Sequence, residues 1–178
     1  MRRAVARLSI IALAFGFLIV GCDDVPEDLQ EGKRAPLIRG ETARGESVKL
    51  SDFRGKVVLL DFWATSCVPC LKQMPHYAEL TKKYEGRPFT VLGVANDYDA
   101  EAMQAFLDEK GYDWPNILDG QDHANHLRWE IYNIPTLYIV DAEGVIRHSK
   151  VKYWETEFID QSIEELVREA ESASVSRE

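Results

Sequence analysis

The feature that most constrains this chain is the passage from an unbroken apolar run into a closely spaced cysteine pair. Val57-Val58-Leu59-Leu60-Asp61-Phe62-Trp63 is followed almost at once by Cys67-Val68-Pro69-Cys70. An apolar run interrupted only by Asp61 reads as a central strand covered on both faces. Beyond it, Leu71, Met74, Tyr77 with Ala78, Thr81 and Tyr84 recur at three- and four-residue steps, predicting an amphipathic helix that ends near Gly86. Two cysteines at the start of that helix can reach each other as thiols or as a disulfide. The helix's unpaired N–H groups and positive dipole end favour a thiolate there. A closed four-thiolate metal site needs a second cysteine pair, and the chain's one other cysteine is Cys22. The pair therefore reads as a redox device, with no metal and no organic cofactor expected.

Cys22 has a different setting. Arg2, Arg3 and Arg7 make a basic start, and Leu8 to Val20 is apolar apart from Ser9 and Gly16. That run is shorter than the roughly twenty residues a spanning helix needs and has the length of a signal-peptide core. It ends in Ile19-Val20-Gly21-Cys22, which resembles a bacterial lipoprotein signal; the plainer alternative is an ordinary signal peptide or an uncleaved anchor. The expected organisation is a signal peptide over 1–21 and a flexible tether over 22–34. One domain follows over 35–172, then a tail over 173–178, with Cys22 lipidated and the mature chain held on a membrane surface. Loss of three arginines and no acid would take the net charge from −9 to −12. So acidic a body is a poor candidate for nucleic-acid binding or for adhesion to anionic lipid. Export places the cysteine pair in an oxidising compartment. Asp23 and Asp24 resemble an inner-membrane retention signal, which puts the expected location at the periplasmic face of the inner membrane.

Along the domain, Leu37 to Arg39 and Ser47 to Leu50 bracket a glycine-containing turn and predict a hairpin. Phe89 to Ala95 is a second buried strand, Ala100 to Lys110 a helix closed by Gly111, and Ile117-Leu118 a short strand. Asp122 to Trp129 is a helical turn. Thr136 to Val140 and Val145 to His148 form a hairpin around Asp141-Ala142-Glu143-Gly144. Glu155 to Ala170 is a last helix with Phe158, Ile159, Ile163, Leu166 and Val167 on one face. This order predicts an α/β domain with a mixed sheet and helices on both sides. A strand-borne Asp61 buried on both faces should hold its proton well above the roughly 3.9 of a free aspartate. His123 and His126 suit a solvated helical turn better than a metal site, and His76 suits the exposed side of its helix.

Asp61-Phe62-Trp63-Ala64-Thr65-Ser66-Cys67-Val68-Pro69-Cys70 resembles the active-site segment of the thioredoxin superfamily, and Ile134-Pro135-Thr136 resembles its cis-proline loop. Pro75 matches the helix-kinking proline of thioredoxins. Gly40 to Lys56, with its Gly-Glu-x-Val-x-Leu-Ser-Asp-Phe-Arg-Gly-Lys run, resembles the lead-in of the TlpA/ResA-like branch, and so does Val94 to Asp119, an added helical segment. The resemblance implies a thioredoxin fold: a central mixed β-sheet flanked by helices, with an N-terminal β-hairpin and a central helical insertion. It implies Cys67 as nucleophile, Cys70 as the resolving cysteine and Asp61 as the acid that shuttles protons to Cys70. Pro69 would shape the turn. Pro135 would be cis, and Ile134 and Thr136 beside it would meet the partner's backbone. Ser66 stands where relatives usually carry tryptophan, which removes a flat apolar lip for the partner. Trp63 joins the partner-facing set by proximity, although core packing is its better reading. Thioredoxin's lysine on the neighbouring strand is missing, with Gly93 in that stretch. Asp97 and Asp99 both suit the acid that the TlpA/ResA-like branch places just after it. The implied function is an exported, monomeric reductant of disulfide-containing proteins, apocytochrome c cysteines for example, recharged by a membrane thiol-transfer protein. The alternatives are a redoxin-type thiol peroxidase and a non-enzymatic copper carrier using the dithiol.

Overall fold

In the computed structural model, which describes residues 27–120 and 122–176, the apolar run becomes the middle of a mixed sheet. The strands are β1 (Arg39–Thr42), β2 (Ser47–Lys49), β3 (Val57–Trp63), β4 (Phe89–Ala95), β5 (Asn116–Leu118), β6 (Thr136–Val140) and β7 (Ile146–Val151). The helices are α1 (Val68–Lys83), α2 (Ala100–Lys110), α3 (Ala124–Arg128) and α4 (Thr156–Val175). Across the sheet the order is β2-β1-β5-β4-β3-β6-β7. β3 runs parallel to β4 and antiparallel to β6, so neighbours satisfy its backbone on both edges. Every residue of β3 is buried, as a continuous apolar run requires.

Strand alternation divides the core into two layers. Val57, Leu59 and Trp63 face one layer with Cys67, Cys70, Met74 and Tyr77 of α1's segment, Met103 and Leu107 of α2, and Ile159, Ile163 and Leu166 of α4. Val58, Leu60 and Phe62 face the other, closed by Leu29, Ile38, Leu50 and Trp129. Leu29 comes from a turn at Glu27–Leu29 and is fully buried. The Gly32 N–H donates to the Ile146 carbonyl at 2.8 Å, and the Ile146 N–H to the Lys33 carbonyl at 2.9 Å. Residues 27–34 are thus part of the folded body, a correction to the tether expected over 22–34; one buried leucine and a backbone pairing outweigh their polar composition. Residues 1–26, with the expected signal peptide and Cys22, lie outside the described residues.

Other boundaries move for local reasons. The hairpin pairs Arg39 with Lys49 and Glu41 with Ser47, while Leu50 leaves the strand to start a tight turn that buries its side chain. Helix α4 runs on to Val175, into the segment expected as tail. Phe158 does not join its core stripe: it is exposed, resting edge-on against His148. α1 runs through Pro75, and Met74, Tyr77 and Leu80 bury its inner face.

On the helical turn α3, Ala124, Leu127 and Arg128 are exposed but His126 is buried, which corrects the expectation for that histidine. Asp119, just past β5, receives hydrogen bonds from the Asn125 N–H (3.0 Å) and Nδ2 (2.6 Å), and from the His126 N–H (2.9 Å). His126 Nδ1 lies 2.7 Å from the same carboxylate. Asn125 in turn bonds the backbone of Arg39 in β1. A helix as short as α3 cannot hold itself together, so Asp119 supplies its amino-terminal partners from outside. Burial pushes the Asp119 carboxyl up, but these hydrogen bonds outweigh it and leave the group below the usual carboxylate range. Its stabilisation is therefore present at neutral pH and fades as pH falls through that lowered value. Asp119→Ala should cost about 3 kcal/mol in urea unfolding at pH 7, since it strands several buried donors. An unchanged midpoint would remove Asp119 as the anchor of α3.

Candidate active site

Cys67 is the amino-terminal cap of α1, and its sulfur accepts the Cys70 N–H at 3.3 Å. Val68 and Pro69 occupy the first two helical positions, where a missing N–H costs nothing because no carbonyl stands opposite it. Cys67 and Cys70 are joined as a disulfide, with Cα atoms 5.2 Å apart. Cys67 is 8% exposed and Cys70 1%, so the outer sulfur is the one a partner can reach. Ser66 is exposed and Val68 is 61% exposed, so a small polar and a medium apolar side chain flank the bond.

Asp61 lies on the β3 face that looks into the disulfide's layer, in register between Gly93 and Leu137 on the adjoining strands. Its Oδ1 is buried with no hydrogen-bond partner among the described residues. Burial alone raises its carboxyl from 3.8 to about 8. The Tyr77 hydroxyl, likewise buried and without a partner, is pushed up by burial and further by Asp61's charge. Burial thus gives Asp61 a proton affinity far above that of a free carboxylate.

Ile134–Pro135 is a cis peptide. Thr136 opens β6 opposite Phe62, and its hydroxyl donates to the Asn133 carbonyl at 2.6 Å, closing the loop around the proline. Ile134 packs on both core layers and leaves part of its surface open. Trp63 does not belong to the partner-facing set. It is fully buried, donates from Nε1 to Asn116 Oδ1 at 3.0 Å, and stacks obliquely on Phe106, because strand alternation turns it inward.

The two acids after β4 have different tasks. Asp97 accepts the Thr65 N–H, 3.0 Å from Oδ2, and the Thr65 hydroxyl, bracing the turn that carries Ser66 and Cys67. Asp99 caps α2 through the Ala102 N–H at 2.9 Å. Geometry alone separates residues two apart in sequence. The missing lysine also has a physical cause: a Cβ on Gly93 would overlap the Asn116 amide oxygen and come within 2.8 Å of Trp63 Nε1. Asn116 had no signal in the sequence beyond its place beside a short strand. His76 is half-buried against Asp160 at 2.7 Å, not on an open helix side as expected. Among the described residues no group of three or more His, Cys, Asp or Glu could hold a metal ion. A cavity of about 650 Å³ beside Tyr84 and Trp114 opens where β3 and β4 begin, at the other end of the sheet from the disulfide.

A disulfide at a helix amino end, a buried acid with a raised proton affinity and a cis-proline loop define a thioredoxin-fold dithiol site. The sequence matches the Redoxin family model over residues 30–166. It is 34% identical over 122 residues to the thioredoxin-like protein YneN of Bacillus subtilis, covering 67% of this chain and 70% of that protein. It is 32% identical over 141 residues to the thiol-disulfide oxidoreductase ResA of Bacillus anthracis, covering 78% and 80%. A thiol:disulfide interchange protein from Bacteroides sp. has a similar solved structure, with a TM-score of 0.69 and 30% identity over 79% of this chain and 92% of that one. The chain belongs to the Redoxin family and, within the thioredoxin superfamily, to the ResA-like thiol–disulfide oxidoreductases.

Proposed function

We propose that this oxidoreductase is a membrane-anchored reductant of exported protein disulfides, working through Cys67 and Cys70. The observation that carries this is the buried, unpartnered carboxyl of Asp61 in the layer that holds the disulfide. In the reduced protein, the Cys67 thiolate attacks one sulfur of a client disulfide. A mixed disulfide forms, and the client's other sulfur leaves as thiolate. Asp61 takes the proton of the Cys70 thiol, and the Cys70 thiolate attacks Cys67 Sγ, freeing the client's second sulfur. Two electrons pass to the client, and the protein is left with the disulfide seen here. A membrane thiol-transfer protein returns those electrons. Lipid on Cys22 would hold a monomer at the periplasmic face of the inner membrane, and the sequence of residues 1–22 is what supports that location. Clients of cytochrome c maturation suit a dedicated reductant of this branch.

Cys70→Ala should strand the client as a mixed disulfide on Cys67, recovered from the native envelope and identified by mass spectrometry. No adduct, together with reductase activity surviving in Cys67→Ala, would overturn these roles. A reduction potential of roughly −200 to −270 mV fits a reductant, whereas one near roughly −120 mV would make the protein an oxidant.

A further inference from the structure

Cys70, Met74 and Tyr77 recur at four- and three-residue steps and bury the inner face of α1. Tyr77 is 1% exposed, in a layer it shares with the apolar side chains of Met74, Met103, Leu107, Ile159 and Ile163. Its ring meets Trp114 edge-on at 6.4 Å and lies tilted against His76 at 6.2 Å. A phenylalanine would make the same ring contacts. The Tyr77 hydroxyl is buried without a hydrogen-bond partner, which weakens the fold unless the group has a use.

Asp61 supplies that use. Its carboxyl lies in the same layer, and its Oδ1 is likewise buried and unpartnered among the described residues. The charge of Asp61 acts on the Tyr77 hydroxyl but not on Tyr84 or Tyr112, two other tyrosines packed in this layer. Tyr84 is bonded to Glu164 at 2.7 Å, and Tyr112 stacks on Trp114. The remaining neighbours bring no charge to Asp61. β4 presents Gly93 and β6 Leu137, while α2 and α4 contribute Met103, Leu107, Ile159 and Ile163 to the layer. The α4 acids that meet α1, Asp160 and Glu164, are part-exposed and bonded to His76 and Tyr84. From α1 come the disulfide and Tyr77. Burial and the charge of Asp61 both push the Tyr77 hydroxyl well above its ordinary 10.0, so it keeps its proton and remains a donor across the working pH range.

Resting on the part given to Asp61 in the exchange above, we propose that Tyr77 is a positioning residue: its hydroxyl hydrogen-bonds the ionised Asp61 carboxylate through one buried water and sets the pH at which Asp61 can accept the Cys70 proton. Buried waters are the usual partners of such groups, and a bridge of this kind is nearly as strong as a direct bond. A donor to the ionised form favours that form and lowers the carboxyl's proton affinity. The proton account is unchanged: Asp61 gains the proton, Cys70 becomes the thiolate, and Tyr77 keeps its own hydrogen. Gly93 leaves no room for a cation on β4, so the group that tempers the buried acid reaches it from α1 instead.

The test follows isotope-labelled aspartate carboxyls by NMR in the oxidised protein, where the disulfide keeps both cysteines from titrating. Loss of one resonance in Asp61→Asn assigns the group. Tyr77→Phe should raise the Asp61 midpoint by about one pH unit over the natural protein, because a hydrogen bond to a charged group is worth about tenfold in proton affinity. In the reduced protein, the pH inflection of kcat/KM for a neutral pyridyl disulfide reagent should move upward with it. Met74→Leu, a volume-conserving change on the same helix face, should leave both in place. An unmoved midpoint in Tyr77→Phe, or an equal shift in Met74→Leu, would overturn the role of Tyr77. Failure of the natural protein to reduce the pyridyl reagent would instead overturn the reductant reading, while the Asp61 titration would still decide for or against Tyr77.

Discussion

Asp61→Asn is expected to equal the natural protein in stability near pH 4 and to exceed it increasingly up to about pH 8, while slowing disulfide exchange. The folded protein keeps the Asp61 proton until about pH 8, whereas the unfolded chain releases it near 3.8. Between those values the unfolded state binds fewer protons, so rising pH favours unfolding. The stability attached to the protonated carboxyl is whole below 3.8 and is lost as pH climbs through about 8. Asparagine does not titrate and escapes the loss. At about 1.4 kcal/mol per tenfold in proton affinity, the ceiling is about 6 kcal/mol, and water penetration into the layer reduces it. A gain of about 2 kcal/mol at pH 8, read from urea unfolding of the oxidised protein, is the expected result. Curves that run parallel from pH 4 to pH 8 would mean that Asp61 is solvated. Exchange should fall about a hundredfold, and the rate should lose its inflection near pH 8, because no base remains to take the Cys70 proton. Stability gained where activity is lost is the expected signature of a group kept for chemistry.

Gly93→Ala is expected to be among the most destabilising single changes in the sheet, and Gly93→Lys, which would restore thioredoxin's residue type, to be worse. Gly93 lies between Asp61 and Asn116 in the parallel ladder. The bond from Trp63 Nε1 to Asn116 Oδ1 passes over its Cα, and Asn116 Nδ2 is tied to the Trp114 carbonyl at 2.8 Å. A new Cβ must displace the amide and leave the buried indole N–H without an acceptor. Overpacking and an orphaned donor together cost about 2–5 kcal/mol. Thermal unfolding followed by circular dichroism checks this, and a melting temperature within a degree of the natural protein would refute the packing account. A neighbour of Asp61 that cannot carry an ammonium group also explains why burial acts on that carboxyl unopposed.

Much of this architecture was legible in residue order. The strand at Val57–Trp63, the helix opened by Cys67, the helix closed by Gly111 and the Thr136–Val140 hairpin all announce themselves by periodicity and by cap or turn residues. Those signals are local, and local signals survive in a one-dimensional reading. Leu29, His126 and Phe158 were misjudged for the opposite reason. Their surroundings depend on contacts that periodicity does not report: Leu29 is buried in the layer that holds Ile146, His126 against Asp119 and the distant Phe62, and Phe158 stays exposed at the edge of β7. Trp63 shows the same divide within one strand, since alternation with an unknown starting face cannot say which side holds the partner surface.

For the site, residue types and spacing were enough to specify the chemistry. Two cysteines one helical turn apart at a helix start, with an acid in the preceding buried strand, point to thiol–disulfide exchange ahead of the peroxidase and copper-carrier alternatives. Tertiary structure decided the environment of that chemistry. It buried the Asp61 carboxyl without a partner, gave Asp97 to the Cys67 turn and Asp99 to a helix cap, and set the Asn116 amide in the space a side chain on Gly93 would need. Proton affinity, steric exclusion and surface shape are sums over neighbours in space, and a chain's order names those neighbours only after it has folded.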